Sequence, residues 1–129
     1  MQLTLEALTK KVGAAPWLYE MSLAPRPGEV TVLLGATQAG KTSLMRIMAG
    51  LDRPSTGQVR VDGVDVTGVG VRERNVAMVY QQFINYPSMT VAGNIASPLK
   101  LRGEKNVAEC VRELAARLHI ESFLDRHPA

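Results

Sequence analysis

Glu29-Val-Thr-Val-Leu-Leu34 runs straight into Gly35-Ala-Thr-Gln-Ala-Gly40-Lys41-Thr42, and this junction decides the fold. The first six residues form a short apolar run ended by glycine, the pattern of a strand buried on both faces. The next eight match G-x-x-x-x-G-K-[ST]. From Lys41 to Ala49, Leu44, Met45, Ile47 and Met48 fall at helical spacing, and Gly50 stands where a helix C-terminal cap belongs. Strand, glycine loop and helix in that order are the context the motif requires. Each fixed residue has a chemical reason. Gly35 and Gly40 let the backbone curl so that its N–H groups converge on phosphate oxygens, where the helix N-terminus adds partial positive charge. Lys41 supplies a point charge for β- and γ-phosphates, and the Thr42 hydroxyl is a ligand for Mg²⁺. Gly35, Ala36, Thr37, Gln38, Ala39, Gly40, Lys41, Thr42 and Ser43 are therefore the candidate nucleotide-binding residues.

Upstream of the loop, Leu3, Leu5 and Ala7 alternate with polar residues, which predicts a half-buried strand, and Trp17 to Ala24 reads as a second. Trp17 and Tyr19, two apart on that strand, are read as core or edge packing. Pro25 to Gly28 makes a turn. Downstream, Val59–Val61, the Asp62-Gly63 turn and Val64–Val66 read as a small hairpin. Val76–Tyr80 is another buried strand, and Gln81 follows at its carboxyl end, where ligands gather in a parallel sheet. A neutral amide there can address Mg²⁺ or an attacking water without adding charge, so Gln81 joins Lys41 as a candidate catalytic residue and Thr42 as a candidate metal ligand. Phe83, Ile84, Tyr86, Pro87 and Met89 are uncharged and outside regular structure, a composition that suits a partner groove. Thr90 is placed to cap a short helix through Ser97, stopped by Pro98. Asn106 and Glu109 form a capping-box-like start, after which Val107, Val111, Leu114 and Leu118 stripe a helix to His119, with Cys110 at its edge as a core thiol. Ile120–Leu124 continues as a short helix. The expected class is α/β. The strands before Gly35 and Gln81 should share one mainly parallel sheet flanked by the helices from Lys41 and Asn106, beside a small antiparallel β subdomain.

Composition removes several classes. A chain of 129 residues holds one domain at most, or part of one. The net charge of +3 is spread over both halves, the mark of a solvated surface, so no nucleic-acid partner is expected. The single Cys110 cannot form an intrachain disulfide and fits a reducing compartment. No signal-peptide pattern opens the chain. Asn75 to Leu99 carries no charge, but its amides and its Pro87 and Pro98 exclude a membrane helix. His119 and His127 have no spacing that suggests a metal or a triad, and Asp62 and Asp65 read as turn residues.

The order of features resembles the ATP-binding subunit of an ABC transporter, of the carbohydrate and polyol importer type, over nearly the whole chain. The resemblance is carried by Pro27-Gly28-Glu29, the 35–42 loop, Gly50-Leu-Asp-Arg-Pro-Ser-Thr-Gly57, and Arg74-Asn-Val-Ala-Met-Val-Tyr-Gln81. Tyr86-Pro-Ser-Met-Thr-Val91, Asn94-Ile95 and Pro98-Leu-Lys-Leu-Arg-Gly103 extend it. It implies a P-loop NTPase core with ATP and Mg²⁺ as cofactors, and Gln81 as the Q-loop glutamine coupling the nucleotide to transport. It further implies a second ATPase subunit as dimer partner and transmembrane permease subunits docking near Phe83–Val91. The subunit would be cytoplasmic, on the inner face of the membrane and reaching it only through the permease. In the family the LSGGQ signature, the Walker B Asp with its catalytic Glu, and the switch His come later than the segments matched here. Residues 1–129 are thus expected to be the N-terminal portion of such a domain, catalytically incompetent alone. The family's adenine-stacking aromatic aligns with Val12. Ala36 and Gln38 stand where the family often has Pro and Gly, and a non-glycine at positive φ costs about 1–2 kcal/mol.

Two other readings stay open on the residues alone. One is a different P-loop NTPase, such as a small kinase; the other is a non-catalytic nucleotide-binding or interaction fragment. The transported solute is not written in this sequence.

Overall fold

The computed structural model describes residues 1–128 and divides into two compact units, one from Met1 to Val79 and one from Tyr80 onward. In the first, β1 (Leu3–Val12), β2 (Ala15–Leu23), β3 (Thr56–Val61) and β4 (Val64–Asp65) form an antiparallel sheet in the order β2-β1-β3-β4, and α1 spans Lys41–Ala49. The core joins Leu5, Leu8, Leu18 and Val59 of the sheet to Leu44 and Ile47 of α1. Leu5 and Leu8 are three apart, and a regular strand would send them to opposite faces. A bulge solves this: the β1–β3 register shifts between Glu6 and Thr9, with Ala7 at φ 44°. Leu5 and Leu8 therefore point inward and Ala7 outward, where simple alternation predicts Leu3, Leu5 and Ala7 on one face. Gly57 lies across from the bulge at φ 85°, and a Cβ there would collide with the carbonyl oxygens of Ala7 and Glu6.

The end of α1 is tied down twice. Gly50 adopts the left-handed conformation at φ 80°, and its N–H donates to the Ile47 carbonyl at 3.1 Å. The buried Arg74 guanidinium donates to the carbonyls of Met48 at 2.9 Å and Val66 at 2.6 Å. Its burial lowers its pKa below the ordinary value. Arg46 also donates to both carboxylate oxygens of Asp52, at 2.8 and 3.0 Å, holding the turn after the helix.

The fold is of the mixed α/β class expected here, but two expected strands are absent among the described residues. Residues 29–34 and 76–80 make no ladder, and every ladder among the described residues is antiparallel. A strand needs a neighbour about 4.8 Å away to receive its N–H and C=O groups, and none of the described strands takes that place. Val30, Leu34 and Val79 are accordingly exposed.

In the second unit α2 spans Val91–Leu101 and α3 spans Val107–Arg117. The Thr90 hydroxyl accepts from the Gly93 N–H at 3.1 Å, as a helix cap should. The next orphan donors, Val91 N–H and Ala92 N–H, donate to the carbonyls of Arg126 and Leu124. Pro98 does not stop α2. It removes one donor, and the ladder resumes beyond it, with Arg102 N–H donating to the Pro98 carbonyl at 3.2 Å. Asn106 starts α3 in the left-handed region without a side-chain cap, its backbone carbonyl accepting from Glu109 and Cys110 instead. The capping-box expectation is therefore corrected, and so is the core thiol: Cys110 is exposed. The buried face of α3 is Val111 and Ala115, with Leu114 and Leu118 largely open. Glu121–Phe123 adds a single 3-10 turn.

The Arg46 hydrogen bonds hold the Asp52 carboxyl below its ordinary value of 3.8. A lowered folded pKa means that the pair stabilises above that ordinary value and loses its contribution as pH falls through the folded one. Asp52→Asn should thus flatten this part of the acid limb, read as urea midpoints between about pH 5 and 2, with little change in pH sensitivity above pH 6.

Candidate functional site

The loop from Gly35 to Gly40 arrives at α1 through two left-handed residues, Gln38 at φ 64° and Gly40 at φ 93°. Gln38 thus carries the strain expected of a non-glycine there. Gly40 is obligatory for a second reason: a Cβ on it would stand 2.5 Å from the Leu18 side chain and 3.0 Å from the Trp17 carbonyl oxygen. The loop is therefore packed directly against β2. Ala39 N–H closes a turn on the Ala36 carbonyl at 3.2 Å, and Leu44 N–H begins the helix ladder on the Gly40 carbonyl at 2.9 Å.

No side chain caps the start of α1, and its first turn has no acidic residue. The N–H groups of Lys41, Thr42 and Ser43 belong to the orphan set of a helix N-terminus, which favours an anion. Lys41 folds back over the loop, its Nζ donating to the carbonyls of Gly35 and Ala36, each at 2.6 Å. Cation, free amides and an exposed Thr42 hydroxyl converge on one side of a cavity of about 520 Å³ lined by Pro16, Trp17, Gln38, Gly40, Lys41, Thr42 and Ser43. That donor set fits a polyphosphate with a divalent cation, because it offers several N–H groups, one ammonium and one metal-ligating oxygen, and no carboxylate to repel phosphate. Of the nine candidate residues, Gln38, Gly40, Lys41, Thr42 and Ser43 line the cavity; Gly35 and Ala36 hold Lys41 by their carbonyls, and Thr37 and Ala39 complete the exposed turn.

The other candidates belong to the second unit. Gln81 is exposed in a bend. Phe83, Ile84, Tyr86 and Met89 are all exposed, Phe83 fully so. The 86–90 turn is organised by Asn94, whose Oδ1 accepts from Tyr86 N–H at 2.7 Å while its Nδ2 donates to the carbonyls of Tyr86 and Thr90, each at 3.0 Å. Residue type and spacing gave no hint of this role, since an Asn one turn into a helix ordinarily faces water. Trp17 is the second residue missed. It is 54% exposed and lines the cavity, and Tyr19 is also open, so neither is core packing; both lie on β2, at the edge of the sheet. Among the described residues no cluster of His, Cys, Asp or Glu is arranged to hold a metal.

The profile of the ABC transporter family matches residues 18–129, and the chain belongs to that family. It is similar to the spermidine/putrescine import ATP-binding protein PotA of Nitrosospira multiformis, at 38% identity over 98% of this chain and 35% of that protein. The sn-glycerol-3-phosphate import ATP-binding protein UgpC of Yersinia enterocolitica is 36% identical over 98% of this chain and 36% of that protein. Among solved structures, a dimeric ATP-binding cassette in a post-hydrolysis state, bound to ADP and Pi, superposes with a TM-score of 0.79. It is 26% identical over 98% of this chain and 61% of that one. The chain spans about a third of the length of the curated relatives it matches. No helix among the described residues is long and apolar enough to cross a membrane.

Gly40→Ala should lower stability by at least about 2 kcal/mol, since it combines a left-handed alanine with a collision against β2. Urea denaturation of the variant, compared with Ala39→Gly as a control away from that contact, measures it.

Proposed function

We propose that this chain is the nucleotide-binding part of the energising subunit of an ABC importer, holding ATP and Mg²⁺ on the 35–43 loop. The observation that carries the reading is the convergence of the Lys41 ammonium and the uncapped start of α1 on one cavity wall. In this reading Lys41 exchanges its two carbonyl partners for β- and γ-phosphate oxygens, and the loop amides hold the phosphates in register. Thr42 supplies an oxygen to Mg²⁺, which offsets phosphate charge. Gln81 is proposed as the Q-loop glutamine that addresses Mg²⁺ or the attacking water, and Phe83–Val91 as the surface that meets the permease subunits. A second ATPase subunit is the proposed dimer partner, supported by the dimeric ADP-bound cassette that this chain resembles. The place of action is then the inner face of the cell membrane, reached through the permease.

Residues 1–129 are read as the N-terminal portion of the ATP-binding domain. They contain no LSGGQ. Alone they are expected to turn over ATP negligibly, because phosphoryl transfer needs groups that neutralise the transition state and orient water beyond those present here. For the solute we favour a sugar or polyol. The support is the likeness of 86–103 to importers of that type and the glycerol phosphate importer among the relatives. A polyamine importer is the second reading, favoured by the higher identity to the spermidine/putrescine protein. Uptake of labelled polyol and labelled spermidine by cells lacking and regaining the gene separates the two.

Lys41→Ala should weaken Mg-ATP binding by about a hundredfold, and Thr42→Ser by no more than a few-fold, because only the first removes the phosphate charge. Calorimetric titration of both variants tests the loop, and equal affinity in wild type and Lys41→Ala rejects it. In the full-length subunit Gln81→Ala should spare ATP binding while uncoupling hydrolysis from transport. Asp at Ile84 and Met89 should abolish assembly with the permease, measured by co-purification.

A further inference from the structure

Among the described residues, positive φ at a non-glycine falls on Ala7, Gln38, Asp62, Asn106 and His119. Asp, Asn and His tolerate this region better than other side chains do. Ala7 is accounted for by the fold, because it forms the β1 bulge and its N–H donates to the Ser22 hydroxyl at 2.9 Å. Gln38 has no such explanation. It takes the third place of the turn that Ala39 N–H closes on the Ala36 carbonyl, and at φ 64° that place calls for glycine. Gln38 is exposed, and no hydrogen bond among the described residues holds its side-chain amide. The side chain instead lines the cavity with Lys41, Thr42 and Ser43. A strained residue whose polar group the fold leaves unused is explained by what enters the cavity rather than by the core.

We propose that the Gln38 side-chain amide donates a hydrogen bond to a phosphate oxygen of the bound nucleotide, adding a neutral side-chain donor to the loop amides and the Lys41 ammonium. This rests on the nucleotide reading above and adds to it a specificity-determining side chain. A glycine at position 38 would relieve the turn but bring no donor. The amide carries two N–H groups and a carbonyl oxygen, and an anion beside it draws the N–H end. It brings no charge of its own, so Lys41 remains the cation of the site. A carboxylate in its place would oppose phosphate. Hydrogen bonds to charged groups are the strong ones, so losing this one weakens binding by about tenfold. Because the contact is to phosphate, it is indifferent to base and sugar.

Strain and donor can be tested apart. In the full-length protein, Mg-ATP and Mg-tripolyphosphate are titrated calorimetrically against wild type, Gln38→Ala, Gln38→Gly and Gln38→Glu, and the ligand-free urea midpoint of each is measured. Gln38→Ala keeps the left-handed strain and removes only the amide, so its midpoint should match wild type while both ligands bind about tenfold more weakly. Gln38→Gly should raise the midpoint above that of Gln38→Ala and bind both ligands as weakly, since it relieves the turn and lacks the donor. Gln38→Glu keeps the length but puts an anion beside phosphate, and should weaken both ligands by about a hundredfold. The proposal is overturned if Gln38→Ala or Gln38→Gly keeps wild-type affinity, or if Gln38→Glu binds as tightly as wild type. It is equally overturned if ATP weakens and tripolyphosphate does not, which would move the contact to the nucleoside. A Gln38→Ala midpoint well below wild type also overturns it, by making Gln38 a packing residue of the loop. Failure of the phosphate loop itself is separately visible, as wild-type protein that binds neither ligand.

Discussion

Gly40 is the residue on which the first unit turns. At φ 93° it ends the loop, begins α1, and lies against Leu18 and the Trp17 carbonyl with no room for a side chain. Leu18 in turn belongs to the cluster that joins Leu5, Leu8 and Val59 to Leu44 and Ile47. One backbone position therefore ties the 35–40 loop to the hydrophobic core. The placement of the loop is inherited from the packing of β2 on α1, and any shift of the sheet is felt at Lys41.

The bulge at Ala7 extends the same logic to the far side of the sheet. Without it Leu5 and Leu8 would take opposite faces, and only one of them could join the cluster that holds Leu18. In the second unit hydrogen bonds fix the entry to α2. Thr90, the carbonyls of Leu124 and Arg126, and the Asn94 amide together satisfy the start of α2 and the turn before it.

Much of this was legible in the residues, for identifiable reasons. The loop and α1 were, because Gly40, Lys41 and Gly50 each answer a local backbone or charge requirement. So was the 59–66 hairpin, whose Asp62-Gly63 turn accepts positive φ at both positions. The runs at 29–34 and 76–80 read as strands because they are apolar, but a ladder depends on a neighbour, which no local pattern contains. The stripe on α3 misled for a related reason. Ala115 carries little hydrophobic signal yet is fully buried, while Leu114 beside it is open. Of the two places open to Trp17, core and edge, alternation does not choose, because it shows that Trp17 and Leu18 face opposite ways without showing which way the core lies. The loop itself was visible residue by residue, and the wall opposite it was not.

Lys41 also bears on how quickly the site can engage a ligand. A free lysine side chain samples many rotamers, and fixing it costs up to about 2 kcal/mol of entropy. Here the ammonium is already held by two carbonyls at 2.6 Å. The ordering therefore belongs to folding, and on the proposed nucleotide reading what remains at encounter is an exchange of oxygen partners by an arm already in position.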